Sequence, residues 1–207
     1  MSYHIEFPLL ESILLIDGKF PLLEYHQARM DYSSGSYFGQ TIKHALKDWL
    51  AVFPVPAHGK YKCRILYGKT MQQPEYHPYQ LKAIKSLKLF EANELDYNLK
   101  YIDRAALNKL FESKGGADDV LLIKQGLITD TSYCNIAFFD GDEWFTPAQP
   151  LLKGARRAFL LDQGLIKEAD IKVADLEDFS HFKCFNAMIG WDEAVMGEVE
   201  AIHNTKV

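Results

Sequence analysis

The chain has 207 residues, a net charge of −5, 25% charged and 48% hydrophobic residues, a globular composition with enough apolar side chains for a sizeable core. The acidic balance argues against a nucleic-acid surface, and no apolar run approaches the roughly 20 residues that cross a bilayer. The length accommodates one large domain or two of roughly 100 residues each.

The start, from Met1 to Phe7, lacks a basic stretch followed by an apolar one, so no secretory leader is expected and a cytoplasmic location is. Residues 12–16, the pair Asp17-Gly18 and residues 20–23 predict a hairpin, because Asp-Gly supplies the positive φ angles of a type I′ turn. Residues 24–32 turn helical, 33–39 form a Ser/Gly-rich break, and 40–50 read as an amphipathic helix burying Ile42, Leu46, Trp49 and Leu50. Residues 61–67 alternate as a strand, 68–79 carry Pro74 and Pro78 and read as loop, and 82–89 read as a strand. A polar stretch then sets the expected division: a small α+β domain over 1–93, a linker over 94–98 and a larger α+β domain over 99–207. In the second part, a helix over 103–113 is expected with Asp103 as its N-cap and Gly115-Gly116 as its stop. Hairpins follow across Gln125-Gly126 and Asp140-Gly141, then a helix over 154–163 stopped by Gly164. Short strands are expected near 171–174, 184–189 and 194–199. The three cysteines, Cys63, Cys134 and Cys184, are widely spaced without a CxxC pair, so they are expected reduced and in or near the core, with no metal site.

Composition and periodicity name no reaction; the specific signals are short segments in a fixed order. Thr129-Asp130-Thr131-Ser132-Tyr133-Cys134-Asn135 precedes Asp140-Gly141, Thr146-Pro147 and the helix start Gly154-Ala155-Arg156-Arg157. Upstream lie Leu99-Lys100-Tyr101-Ile102-Asp103-Arg104 and the run from Asp17-Gly18 through His26-Gln27-Ala28-Arg29-Met30. Together these resemble the class-IV aminotransferase and aminodeoxychorismate lyase family, whose segments read T-E-x-x-x-x-N, D-G, T-P, G-x-x-R and H-x-x-R-[LM]. The resemblance runs over about residues 10–200.

The resemblance implies a two-domain α+β fold of fold type IV, like that of D-amino acid aminotransferase, with pyridoxal 5′-phosphate in the interdomain cleft and a homodimeric assembly. Lys100 is the implied catalytic residue, holding the cofactor as a Schiff base. Such an amine must be deprotonated in a partly desolvated place, and Leu99, Tyr101 and Ile102 suit one. Asp130 stands in the family's acidic position, where a carboxylate keeps the pyridine nitrogen protonated; the family usually has the longer Glu there. Gly154, Ala155 and Arg156 would offer helix N-terminal N–H groups to the phosphate, and Arg29 a guanidinium. Asn135 and Ala187 complete the implied cofactor wall, His26 is expected to pack or cap beside Arg29, and Tyr67, Tyr97 and Tyr101 are candidates to meet the cofactor's 3′-oxygen.

Departures from the family pattern bear on substrate. Members that grip an α-carboxylate commonly end the strand matching 61–68 in Arg-Gly, and here it ends Tyr67-Gly68. Phe185-Asn186-Ala187-Met188 is nearer the lyase branch's C-N-A-L than the threonine-rich version of the transaminases. The expectation is therefore a lyase turning 4-amino-4-deoxychorismate, a small-molecule substrate, into 4-aminobenzoate and pyruvate for folate synthesis. The alternatives are an aminotransferase on small amino and keto acids, of branched-chain or D-amino acid type, and a degenerate partner subunit without catalysis.

Overall fold

The computed structural model describes residues 6–203; residues 1–5 and 204–207 lie outside them, and with them most of the chain start that bears on a leader. The chain packs as two compact units, one of residues 1–81 and 97–103, the other of 82–96 and 104–207. This division differs from a single linker at 94–98, because the chain crosses between the units more than once.

The first unit is built on the antiparallel sheet β1-β2-β3, formed by β1 (Leu9–Ile16), β2 (Lys60–Tyr67) and β3 (Glu75–Pro78), with two helices, α1 (Leu23–Phe38) and α2 (Leu46–Ala51). Asp17 and Gly18 make the expected turn with φ 46 and 74, and Ile16 and Lys19 exchange two 2.9 Å backbone hydrogen bonds. The predicted return strand stops there. Pro21 has no N–H for a ladder, and Leu22 adopts a left-handed conformation that launches α1.

Helix α1 runs straight through the predicted Ser/Gly break, since Ser33 and Ser34 are buried and packing outweighs their weak propensity. It ends at Gly39, whose left-handed φ of 70 lets its N–H reach Gly35 O. Helix α2 is shorter than predicted, because Gln27 Oε1 accepts the Leu46 N–H at 2.5 Å and fixes the start there. The predicted loop holds β3, an edge strand whose prolines do not disturb the sheet interior.

Residues 97–103 pack on β1: Leu10 N–H donates to Lys100 O at 3.2 Å, Ile102 N–H to Pro8 O at 2.8 Å, and Leu9 bridges Tyr101. Lys100 therefore belongs by packing to the first unit, where the sequence places it in the second domain.

The second unit holds two sheets. In the four-stranded sheet, with β12 (Ile202–His203) at one edge, the order is β12-β4-β5-β6, with β4 (Leu87–Glu91) parallel to β5 (Asp119–Lys124) and β5 joined to β6 (Leu127–Thr131) by the expected Gln125-Gly126 hairpin. Between β4 and β5 lies α3 (Ala105–Glu112), whose cap residue is Arg104 with no side-chain cap bond, so Asp103 is not the N-cap. The five-stranded sheet is ordered β11-β10-β7-β8-β9, from β7 (Asn135–Phe139), β8 (Trp144–Pro147), β9 (Lys167–Ala169), β10 (His181–Phe185) and β11 (Met196–Glu198). Helix α4 (Ala155–Asp162) starts after Gly154 and is followed by Gly164 in the left-handed region. The strand predicted near 171–174 gives way to a single bridge and a 3-10 turn, and residues 186–189 turn instead of extending.

Central strands are sealed on both faces: Val120, Leu121 and Leu122 of β5 and Ile136, Ala137 and Phe138 of β7 are fully buried. All three cysteines are free and buried, as expected. Among the described residues no helix is long and apolar enough to cross a membrane.

Candidate active site

The spacing from Asp130 to Asn135 works because residues 131–134 close a tight turn. Thr131 N–H reaches Cys134 O at 2.9 Å, and Cys134 N–H reaches Thr131 Oγ1 at 3.0 Å, folding β6 back into β7. Asn135 Nδ2 then donates to Asp130 Oδ1 at 2.8 Å, while Leu152 N–H donates to Asp130 Oδ2 at 2.8 Å. Asp130 is buried and, among the described residues, in no ion pair. Burial pushes its carboxyl up to about 7, against the hydrogen bonds from Leu152 and Asn135 and the more distant Arg157 charge.

Gly154 completes this cluster from the α4 side. A Cβ placed there would come within 2.0 Å of Asn135 Oδ1, so the backbone approaches the amide as only glycine permits. Ala155 follows it, buried, in the first turn of α4. Arg156 Nη2 reaches Ala187 O at 3.4 Å, which unites two further predicted residues. Burial holds the Arg156 guanidinium below its usual range, partly offset by Glu193 and Asp192. Ala187 sits in a turn pinned by Asn186: its Oδ1 accepts from Met188 N and Ile189 N, and its Nδ2 donates to Tyr133 O and Cys134 Sγ. Arg157 faces elsewhere, donating to Pro147 O at 2.8 Å and Glu168 Oε1 at 2.6 Å, which makes it a packing residue of this unit.

The first unit carries the other predicted residues. Lys100 has φ 59, an uncommon conformation for a residue that carries a Cβ, and its carbonyl is tied to β1. Arg29 forks onto the buried Glu11, Nε donating to Oε1 at 2.9 Å and Nη2 to Oε2. His26 Nδ1–H donates to the same Oε2 at 2.7 Å. Burial alone would raise the Glu11 carboxyl; the Arg29 charge and these hydrogen bonds outweigh it and bring it to about 2. Burial lowers the His26 imidazole against the pull of Glu11, and the ring lies beside Arg29 on the same helix.

Tyr67 is fully buried beside Ser33 and within electrostatic reach of Arg29, as is Tyr97. Tyr101 donates its hydroxyl to Asn98 Oδ1 at 3.3 Å.

Glu11 lies in Leu9-Leu10-Glu11-Ser12, all that survives here of the family's F-G-D-G-x-F-E segment, and the sequence gives it no role; the signal that could have found one is its place in a run whose neighbours Leu9, Leu10, Ile13 and Leu14 are all apolar.

An α+β fold of this order, carrying a lysine on a strand-anchored turn and a buried acid held by an asparagine, defines a class. The chain belongs to the class IV amino-transferases, whose family model matches residues 56–193. It is 35% identical to an uncharacterized protein of Haemophilus influenzae over 189 residues, covering 89% of this chain and 99% of that one. A crystal structure provisionally named a 4-amino-4-deoxychorismate lyase, from Haemophilus somnus 129pt, is similar at 32% identity and a TM-score of 0.84, covering 92% of this chain and all (100%) of that one. A Schizosaccharomyces pombe protein provisionally named aminodeoxychorismate lyase is 30% identical over 175 residues, covering 75% and 74% of the two chains.

Proposed function

We propose that this chain is a pyridoxal-phosphate enzyme that cleaves 4-amino-4-deoxychorismate to 4-aminobenzoate and pyruvate. The residues fit the cofactor on their own chemistry. Asp130 is a buried acid whose two oxygens receive only neutral donors, so a cation is the partner that would complete it, and a protonated ring nitrogen is one. Arg29 keeps its side chain 9% exposed, and among the described residues no acceptor meets its Nη1, which suits a phosphate. Lys100 would supply the amine, and Gly154, Ala155 and Arg156 with Asn135 and Ala187 would line the ring and phosphate.

When bound, the cofactor supplies a protonated aromatic ring that accepts the electron pair released at the substrate. The chain's residues then have simple tasks. Lys100 holds the cofactor and afterwards moves protons at the substrate, acting as base and then acid. Asp130 holds a proton at the ring nitrogen, and Asn135 holds Asp130 by the 2.8 Å bond. Arg29 fixes the phosphate end. A homodimer in the cytoplasm belongs to the same reading.

The observation that carries the lyase over the aminotransferase is the end of β2. Tyr67 is buried where the family's carboxylate-binding arginine would stand, and a Cβ on Gly68 would lie 2.1 Å from Glu6 O. Arg64 does not substitute, being paired with Glu75 at 3.3 Å. The names of the two provisionally named relatives agree with this choice.

The experiment is to give the purified protein 4-amino-4-deoxychorismate beside a panel of amino and keto acids. Release of 4-aminobenzoate and pyruvate without an amino acceptor is the expected result. Steady conversion of an amino acid in the panel to its own keto acid, with loss of the bound aldehyde's absorbance, would favour the aminotransferase instead.

A further inference from the structure

In the buried cluster of Glu11, His26 and Arg29, the carboxylate is fully engaged by its two neighbours. Glu11 spends both oxygens inside the unit, Oε1 on Arg29 Nε and Oε2 on Arg29 Nη2 and His26 Nδ1–H. A planar guanidinium held along one edge has lost its rotation, so its Nη1 can point in a single direction. His26 and Arg29 lie one helical turn apart on α1, and Glu11 comes from β1, so the fork also fixes that helix on that strand. The adjoining residue, Leu10, donates its backbone N–H to Lys100 O at 3.2 Å. Two successive residues of β1 thus hold the two groups, one through main chain and one through side chain.

We propose that Glu11 is a positioning residue: it orients Arg29 toward the cofactor's phosphate and, through β1, sets that anchor's place relative to Lys100. This rests on the reading that Arg29 holds the phosphate. Glu11 touches neither cofactor nor substrate. Its action is to remove conformational freedom from the group that does, so that less must be lost on binding.

A role in mere stability and a role in positioning differ in what they discriminate. Pyridoxal 5′-phosphate and pyridoxal differ only in the phosphate, so the ratio of their dissociation constants reports the anchor and cancels general loosening of the fold. Glu11→Gln replaces one carboxylate oxygen by an NH2 group, which cannot receive the N–H donors that Arg29 or His26 aims at it, and removes the charge without changing shape. The expected result is that the wild-type preference for the phosphorylated form falls by about tenfold or more in Glu11→Gln, while pyridoxal binding changes little. If that variant does not fold, Glu11→Asp asks the same question by withdrawing the carboxylate by one methylene. A variant that keeps the wild-type preference overturns the proposal, and so does one that prefers the phosphate more strongly, since Glu11 would then act only as a repelling charge. Wild-type protein that binds the two compounds equally removes the phosphate anchor itself, and the reading beneath this inference fails with it.

Discussion

Asn135 Nδ2 donates to Asp130 Oδ1 at 2.8 Å and to Leu152 O at 2.9 Å, so one amide joins the buried acid to the loop that precedes α4. The amide is spent on both, and its own oxygen faces Gly154. The pair is therefore rigid for a reason that can be tested from either end.

Gly154→Ala forces Asn135 aside, because its amide has no free rotamer to yield into. The expected cost is about 1–3 kcal/mol of stability, measured by urea unfolding. Gly116→Ala, where nothing lies within 4 Å, is the matching control and should be neutral or slightly stabilising.

Asp130 gives a pH signature to the protein without cofactor. Its carboxyl sits at about 7 in the fold against a reference value of 3.8, so the folded state binds that proton more tightly than the unfolded chain. The contribution is complete below the lower value and is lost as pH rises through the higher one, a swing of up to about 4 kcal/mol. Asp119, also raised by burial, adds in the same direction. His26, lowered by burial, acts in the opposite sense, so the test is the difference: the stability of the wild type relative to Asp130→Asn should fall as pH rises across this range. In the loaded enzyme the same variant should keep the cofactor and lose most turnover.

Glu11 works in the opposite sense. Its carboxyl lies at about 2 in the fold and 4.5 unpaired, so its stabilisation is present above the upper value and vanishes as pH falls through the lower one. Arg29→Ala leaves that carboxylate buried without its cation and should cost about 3–5 kcal/mol, read from denaturant midpoints. It should also weaken cofactor affinity by about 2–4 kcal/mol.

Lys100 occupies left-handed backbone that costs a Cβ-bearing residue about 1–2 kcal/mol. Lys100→Gly should therefore be more stable than Lys100→Ala by about that amount in thermal unfolding of cofactor-free protein. Both should lose turnover.

What could be read in the sequence was local. Asp17-Gly18, Gln125-Gly126 and Gly164 mark turns and a helix stop because positive φ is a property of the residues themselves. What could not be read depended on partners far along the chain. Ser33 and Ser34 read as a break and are helical because they are buried; Leu46 begins α2 because Gln27 caps it. β3 is an edge strand that two prolines disguise as loop. In the site, the order of Lys100, Asp130, Asn135 and Gly154 was legible as a family resemblance. The pairing of Glu11 with Arg29 was not, since 18 residues separate them and the contact depends on how β1 packs against α1.

Every proposed role rests on Lys100 being the residue that binds pyridoxal phosphate. The direct measurement is borohydride reduction of the cofactor-loaded protein, followed by digestion and mass mapping of the pyridoxyl group. The expected result is a label on the peptide containing Lys100 and its absence in Lys100→Ala. A label on another lysine, or none on a protein that has taken up the cofactor, would contradict it.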